Sequence, residues 1–309
     1  MNDTRTMAVF GATGKVGGRA VAKLRARGLR VRAVLRDASK GDAFWQGGCE
    51  VALADLYDAG AVARALAGAD GALFVCPLRL DAPDVAADAQ RIIEATAQAI
   101  EAARPRHVVA ISDYGAHVPE GTGITMIFRR LEARLGPLPV ATTFVRSAEH
   151  MQNWKRHLHA ARARGVLPSL HHPLTKLYPT VSAFDVGDVA ADLLAAGARE
   201  GAAGEGEGAA PGNPRVVHVE GPQRYSSLDL ERAMEAVLGR PVRAQAIPRE
   251  GWASALAAGG LAESYAGLVM QLFDAHNAGR IDAEPGAADV RRGTTELSKA
   301  LGDLLRADA

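Results

Sequence analysis

The chain has 309 residues, 48% of them hydrophobic and 23% charged, the profile of a soluble globular protein large enough for one big domain or two average ones. Disorder and fibrous repeats are excluded as its main state. With 36 Lys+Arg against 35 Asp+Glu, it lacks the cationic surplus that binding a phosphate backbone requires, which argues against a nucleic-acid partner.

No basic stretch followed by a long apolar run opens the chain, and charged residues break every Ala-rich stretch before it reaches the roughly 18 to 20 residues of a membrane span. No membrane partner is expected. Cys49 and Cys76 show no CxxC spacing, which fits a reducing, cytoplasmic setting better than a disulfide framework.

From Thr6 to Ser147 short β-rich runs alternate with amphipathic stretches. Strands are predicted over Met7 to Gly11, Arg30 to Leu35, Glu50 to Ala54, Ala72 to Cys76, His107 to Ser112 and Ala141 to Arg146. Helices are predicted near Gly14 to Arg27, Ala61 to Ala67, Val85 to Ala103 and Ile124 to Leu135. In the third of these, Val85, Ala89, Ile92, Ile93, Thr96, Ala99, Ile100 and Ala103 fall at helical spacing. Strand and helix alternating this often predict a doubly wound, parallel α/β sheet of the Rossmann type.

After Ser147 the rhythm loosens. A basic helical run covers Met151 to Arg164, a Pro/His-rich loop Leu167 to Pro179, and Thr180 to Ala196 leads into a helix expected to return to the first domain. The Gly/Ala-rich segment Gly197 to Pro214 has little side-chain surface to bury and is expected to be a mobile surface loop. Arg215 to Glu220 reads as a strand, and Tyr225 to Leu238 as a helix opened by Ser226 with Asp229 three residues later. The last quarter, Trp252 to Leu305, reads as mostly helical. The division expected is a dinucleotide-binding domain over 1–150 and a smaller cap over 151–309 that selects the substrate.

The strongest chemical signal is Gly11-Ala-Thr-Gly14-Lys-Val-Gly17, which follows a predicted strand and opens a predicted helix. Gly11 permits a tight turn, Gly14 lets the backbone approach a pyrophosphate, and Gly17 lets the helix pack close. Phosphate charge would meet the helix N-terminus, with Gly11, Thr13, Gly14, Lys15, Val16 and Gly17 as the contacts. The second strand ends about 20 residues on, where a ribose-reading residue belongs. Here stand Arg36, Asp37 and Lys40. The two cations suit a 2′-phosphate and favour NADP, with NAD as the alternative should Asp37 turn inward.

These residues resemble the NmrA-like group of atypical short-chain dehydrogenase/reductases, NAD(P)-binding Rossmann proteins. The resemblance runs through GATGKVGG at Gly11 to Gly18, VRAVLRD at Val31 to Asp37, ADL at Ala54 to Leu56, GITMIFRRLE at Gly123 to Glu132 and HMQNW at His150 to Trp154. Asp185-Val-Gly-Asp188-Val and Glu220-Gly-Pro-Gln-Arg-Tyr-Ser226 continue it. It implies that Asp55 and Leu56 border the adenine, and Cys76 and Pro77 the nicotinamide ribose. Cys76 itself reads as a packing residue, with no neighbouring His or Lys to lower its pKa. Members are reductases of quinones, dyes or phenylpropanoid-type substrates, or regulators that sense the nicotinamide pool.

The Tyr and Lys, four residues apart, that protonate the substrate in ordinary short-chain dehydrogenases are missing: Val118 stands four residues after Tyr114. Where phenylpropanoid reductases carry a catalytic Lys there are Arg129 and Arg130, which cannot give up a proton. Two readings follow. One is an NADPH-dependent oxidoreductase passing hydride to a small acceptor such as a quinone, whose reduced anion collects protons from water. The other is a redox sensor that acts through a protein partner. Ser112 is expected to touch the cofactor, and Tyr114, His150 and Asn153 are the catalytic candidates, His or Tyr donating to a developing oxyanion.

His157, His159, His171 and His172 have no carboxylate or cysteine at ligand spacing, so no metal is expected. The basic run Lys155, Arg156, Arg162 and Arg164 reads as a solvated helix face, with an anionic partner as the alternative.

Overall fold

The structure is a computed structural model that describes residues 4–199 and 209–307. Its first half runs β1 (Thr6–Phe10), α1 (Lys15–Ala26), β2 (Arg30–Leu35), α2 (Gly41–Gln46), β3 (Glu50–Leu53), α3 (Ala59–Leu66), β4 (Gly71–Phe74), α4 (Val85–Ala103), β5 (His107–Asp113), α5 (Thr125–Leu135) and β6 (Ala141–Ser147). The second half adds β7 (Glu149–His150), α6 (Lys155–Arg164), β8 (Val166–Ser169), β9 (Thr180–Val181), α7 (Ala183–Gly197), β10 (Arg215–Glu220), α8 (Ser227–Leu238), β11 (Arg243–Ala246), α9 (Trp252–Ala258), α10 (Glu263–Asn277), β12 (Val290–Arg292) and α11 (Leu297–Arg306). Every predicted strand and helix of the first half forms, within two residues at each end. The short α2 was not anticipated, since six residues are too few to display a helical period.

Eight strands make one parallel sheet in the order β12-β10-β6-β5-β4-β1-β2-β3. From β1 the chain winds outward through β2 and β3, then returns to β4 on the other side of β1. The crevice where the winding reverses is the binding place of open α/β sheets. Alternation along β1 explains the layers. Met7 and Val9 pack with α1 and α7 on one face, and Ala8 and Phe10 with α3, α4 and α5 on the other.

α7 lies along α1, tied by Arg19 to Asp188 (2.8 and 2.9 Å) and Lys23 to Asp192 (2.9 Å). The acidic Asp185/Asp188 motif is therefore structural, and Asp185 also accepts from the Thr295 amide and hydroxyl at 2.9 Å. Two later strands enter the sheet as well, β10 beside β6 and β12 beside β10, so the segment 151–309 supplies sheet as well as cap. Of the expected mobile loop at 197–214, residues 200–208 lie outside the described residues. Just beyond them, Ala210 and Asn213 close a tight turn that bridges to Ala141 through Pro211.

The cap has its own core of Trp154, Leu158, Leu167, Leu230, Met234 and Leu301. The Pro/His-rich loop begins as strand, because β8 pairs with β11. Ser226 caps α8 as anticipated: the Asp229 amide donates to its hydroxyl (3.2 Å) and its own amide donates to the Asp229 carboxylate (2.8 Å).

Candidate functional site

Gly11 has φ +78°, a conformation that suits glycine. Its carbonyl accepts from the Gly14 amide at 2.9 Å, and the α1 helix starts there. A Cβ on Gly17 would lie 2.3 Å from the same carbonyl oxygen, so helix and turn touch only because that residue has no side chain. Gly14 differs: its φ is −84° and a Cβ would meet only the Gly11 oxygen, at 3.3 Å. No side chain caps α1, and Thr13, Gly14 and Lys15 are exposed while Val16 and Gly17 are buried. An uncapped, glycine-lined helix start of this kind fits a dinucleotide pyrophosphate.

Arg36 and Lys40 are exposed just past β2. Asp37 is occupied locally: it accepts from the Ser39 hydroxyl at 2.7 Å and the Ser39 amide at 2.9 Å. Those two bonds hold its carboxyl below the usual range. Asp55 accepts from the Tyr57 amide (3.1 Å) and is exposed, while Leu56 is half-buried against the α3/α4 core. Cys76, half-buried just past β4, has its thiol pushed up to about 12 by burial, and Pro77 is exposed beside it. The thiol stays neutral, as a packing residue should.

Two sequence expectations are corrected. Ser112 does not face the crevice: it is buried, and its hydroxyl donates to Glu132 at 2.5 Å. Glu132 grips Arg146 at 2.9 and 2.7 Å, and Arg146 reaches Glu284 at 2.7 Å. Tyr114 is 1% exposed, edge-on to His218, with no hydrogen-bond partner for its hydroxyl among the described residues. Tyr114→Phe is therefore expected to leave turnover within about twofold and stability unchanged or up to about 1 kcal/mol higher, because an unsatisfied buried hydroxyl is removed. Steady-state kinetics and thermal melts check this. Arg129 and Arg130 also take no site role: Arg129 donates to the carbonyls of Ala116 and His117, and Arg130 is exposed.

β7 joins the crevice to the cap. His150 shares a hydrogen bond between its Nε2 and the Ser147 hydroxyl (3.2 Å). Burial pushes its imidazole down to about 4, with Glu149 opposing and Lys15 of the glycine turn adding to the shift. It is a neutral ring at physiological pH. Glu149 lines a cavity of about 450 Å³ in the cap, with Trp154, Tyr178, Leu256, Val269 and Phe273 among its walls. There it faces His171 at 3.4 Å, and the His171 ring stacks on Tyr178. Asn153 is exposed in the turn between β7 and α6. Burial pushes the carboxyl of Asp113 up to about 7 against a Thr125 hydrogen bond at 2.7 Å, and Glu149 adds to the rise. This group can hold or release a proton near neutrality.

Asp113, Glu149 and His171 were missed by sequence reasoning. The signal was thin, because an acid after a strand is commonplace and His171 is brought to Glu149 only by the cap. A larger cavity, about 680 Å³, opens at the amino ends of β5, β6 and β10 between His107 and Arg215, away from the glycine turn. Among the described residues no three His, Cys, Asp or Glu side chains converge as a metal site, and no helix is long and apolar enough to cross a membrane.

Residues 11–136 match the family model described as NAD(P)H-binding. The NAD(P)H azoreductase of Xenophilus azovorans is 29% identical over 266 residues, 86% of this chain and 85% of that protein. Among solved structures, the triphenylmethane reductase of Citrobacter sp. has a TM-score of 0.78 at 19% identity, covering 97% of this chain and 99% of that one. An NADPH-dependent quinone oxidoreductase from Escherichia coli, complexed with NADPH, has a TM-score of 0.77 at 19% identity over the same shares. Residues 11–136 are thus similar to an NAD(P)H-binding family, and the whole chain shares the fold of these solved reductases.

Proposed function

We propose that this protein is an NADPH-dependent oxidoreductase whose cap cavity holds a small planar acceptor of the quinone or azo kind. The observation that carries the reading is β7, which sets a neutral imidazole within the field of Lys15 of the glycine turn and the half-buried Glu149 side chain in a cavity walled largely by apolar and aromatic residues. Such a cavity, with a few convergent polar groups, is what a small-molecule site needs. The names of the relatives, an azoreductase, a quinone oxidoreductase and a triphenylmethane reductase, support it.

The cofactor supplies hydride when bound. The glycine turn and Lys15 would hold its pyrophosphate, Asp55 and Leu56 would border the adenine, and Cys76 and Pro77 the nicotinamide ribose. His150 and Asn153 would hydrogen-bond the acceptor from the β7 end, while Glu149 and His171 are polar groups that line the cavity itself. Apolar cap walls exclude water from the reacting groups. With Asp37 engaged by Ser39, Arg36 and Lys40 are the groups left to read a 2′-phosphate. Arg36→Asp should weaken NADPH binding about 100-fold and NADH binding less than about threefold by fluorescence titration. Equal losses would remove the NADP assignment.

The activity is tested by stopped-flow mixing with NADPH and a panel of quinone and azo acceptors. Fast, saturable oxidation is expected. Tight NADPH binding with no oxidation by any acceptor would sink the enzyme reading and leave a redox sensor that works through a protein partner.

A further inference from the structure

We infer that the cavity at the amino ends of β5, β6 and β10 is a second ligand site, one that takes a ring compound bearing a phosphate chain, a nucleoside polyphosphate. It lies at the opposite end of the sheet from the glycine turn. β5 is seven residues long, so about 20 Å separates the two ends. The volume, about 680 Å³, is that of a small-molecule site.

Five arginines from distant parts of the chain converge on it: Arg104 and Arg106 before β5, Arg199 after α7, Arg215 at the start of β10 and Arg291 in β12. The acids at hand do not match them. Asp192, the one acid in the wall among the described residues, is held by Lys23 (2.9 Å) and Arg27 (2.5 Å). Asp289 serves both Arg215 (2.5 Å) and Arg291 (3.1 Å), and Asp70 stands 3.8 Å from Arg106. Arg199 is exposed and makes no ion pair with another described residue. Arg104 reaches the Glu101 carbonyl, at 3.4 Å.

Helix ends account for part of this charge. α4 and α7 both finish here, and each C-terminus carries about half a negative charge, which together offset about one of the five cations. A surplus remains, and it is felt inside: burial pushes the imidazole of His107 in the cavity wall down to about 4, and the charge of Arg215 adds to the shift. Arg104 also holds a left-handed backbone, φ 48° and ψ 57°, at the end of α4. Glycine commonly takes that place, and a larger residue there costs about 1 kcal/mol. The strain sets a guanidinium on the cavity rim. Arginine forks match phosphate oxygens, and cations spread around the wall suit a chain of phosphates better than a single carboxylate. Between them Pro105, Pro139, Leu193 and Pro211 offer an apolar surface for a ring.

The test is calorimetric titration of the full-length protein, saturated with NADP⁺ so that the dinucleotide site is filled, by ATP, adenosine and inorganic tripolyphosphate. ATP should bind about tenfold tighter than tripolyphosphate and about 100-fold tighter than adenosine, the second advantage shrinking in high salt. Its binding should shift the ring resonances of His107 and leave those of His150 in place. Arg104→Gly, which the left-handed backbone accommodates, and Arg199→Gln, at an exposed position, should each weaken ATP about tenfold with the thermal midpoint kept. Arg130→Gln, exposed outside the cavity, should leave ATP affinity unchanged. The inference is overturned if ATP fails to bind, if it competes with NADP⁺, if both cavity variants bind it normally, or if Arg130→Gln weakens it as much as they do. Tripolyphosphate binding as tightly as ATP would overturn the nucleoside assignment.

Discussion

Gly14→Leu should raise the NADPH dissociation constant by more than about 100-fold, roughly 2.7 kcal/mol, while the thermal midpoint stays within a few degrees of wild type. The backbone at Gly14 is extended, φ −84° and ψ 172°, which any residue adopts. A Cβ there meets the Gly11 oxygen at 3.3 Å, so the fold has little need of this glycine and the exposed helix start beside it has much. Gly17→Ala is the contrasting case. Its Cβ would lie 2.3 Å from the Gly11 oxygen and 2.7 Å from the Gly11 carbon, so α1 must move off the turn at a cost of about 2–3 kcal/mol. That variant should lose stability and binding together. Fluorescence titration with NADPH and thermal melts separate the two, and a Gly14→Leu protein that binds NADPH normally would remove the pyrophosphate assignment.

Acidification from pH 6.5 to 4 should lower stability by several kcal/mol, before most carboxylates protonate. Burial holds His107, bonded to Thr143 at 2.9 Å, neutral down to about 4, and His276 down to about 3. A folded pKa below the unfolded value of 6.5 means that the unfolded chain takes the proton first. The stability is present above pH 6.5 and lost as pH falls toward the folded value, about 3 kcal/mol for each ring by pH 4. Asp113 acts in the other direction. Its carboxyl is raised to about 7 from 3.8, so its contribution is full below pH 3.8 and is lost as pH rises through 7, and acidification recovers it in part. Two buried rings, joined by His150, outweigh one carboxyl. Urea melts at pH 7, 5.5 and 4.5 should show the decline, flattened in His107→Gln or His276→Gln and steepened in Asp113→Asn. A midpoint that rises on acidification would contradict this account.

The nucleotide half was legible because its signals are local. α4 runs over the predicted Val85–Ala103, opened by Asp84, whose side chain accepts from the Ala87 amide. The glycine turn needs only seven consecutive residues. What stayed hidden joins distant residues. The network Ser112, Glu132, Arg146 and Glu284 spans most of the chain, and no spacing rule foretells it. β7 and β12, two and three residues long, are too short to show a period of two. At the end of β5 a shift of one residue changes the side chain's surroundings entirely. Tyr114 goes to the core, and its neighbour Asp113 is the group whose proton is poised near neutrality.

The lateness of β12 in the chain governs how the protein is made. While synthesis proceeds, β10 can dock on β6 with its outer row of amides and carbonyls bare, an invitation to any neighbouring nascent chain. Only when Val290–Arg292 leaves the ribosome can that row be covered, over His218 to Glu220. The covering strand then discourages further pairing: it is three residues long, and Arg292 is anchored to Glu220 at 2.7 Å while Arg291 holds Asp289. A chain released before residue 290 would carry a complete glycine turn on a sheet left open to aggregation.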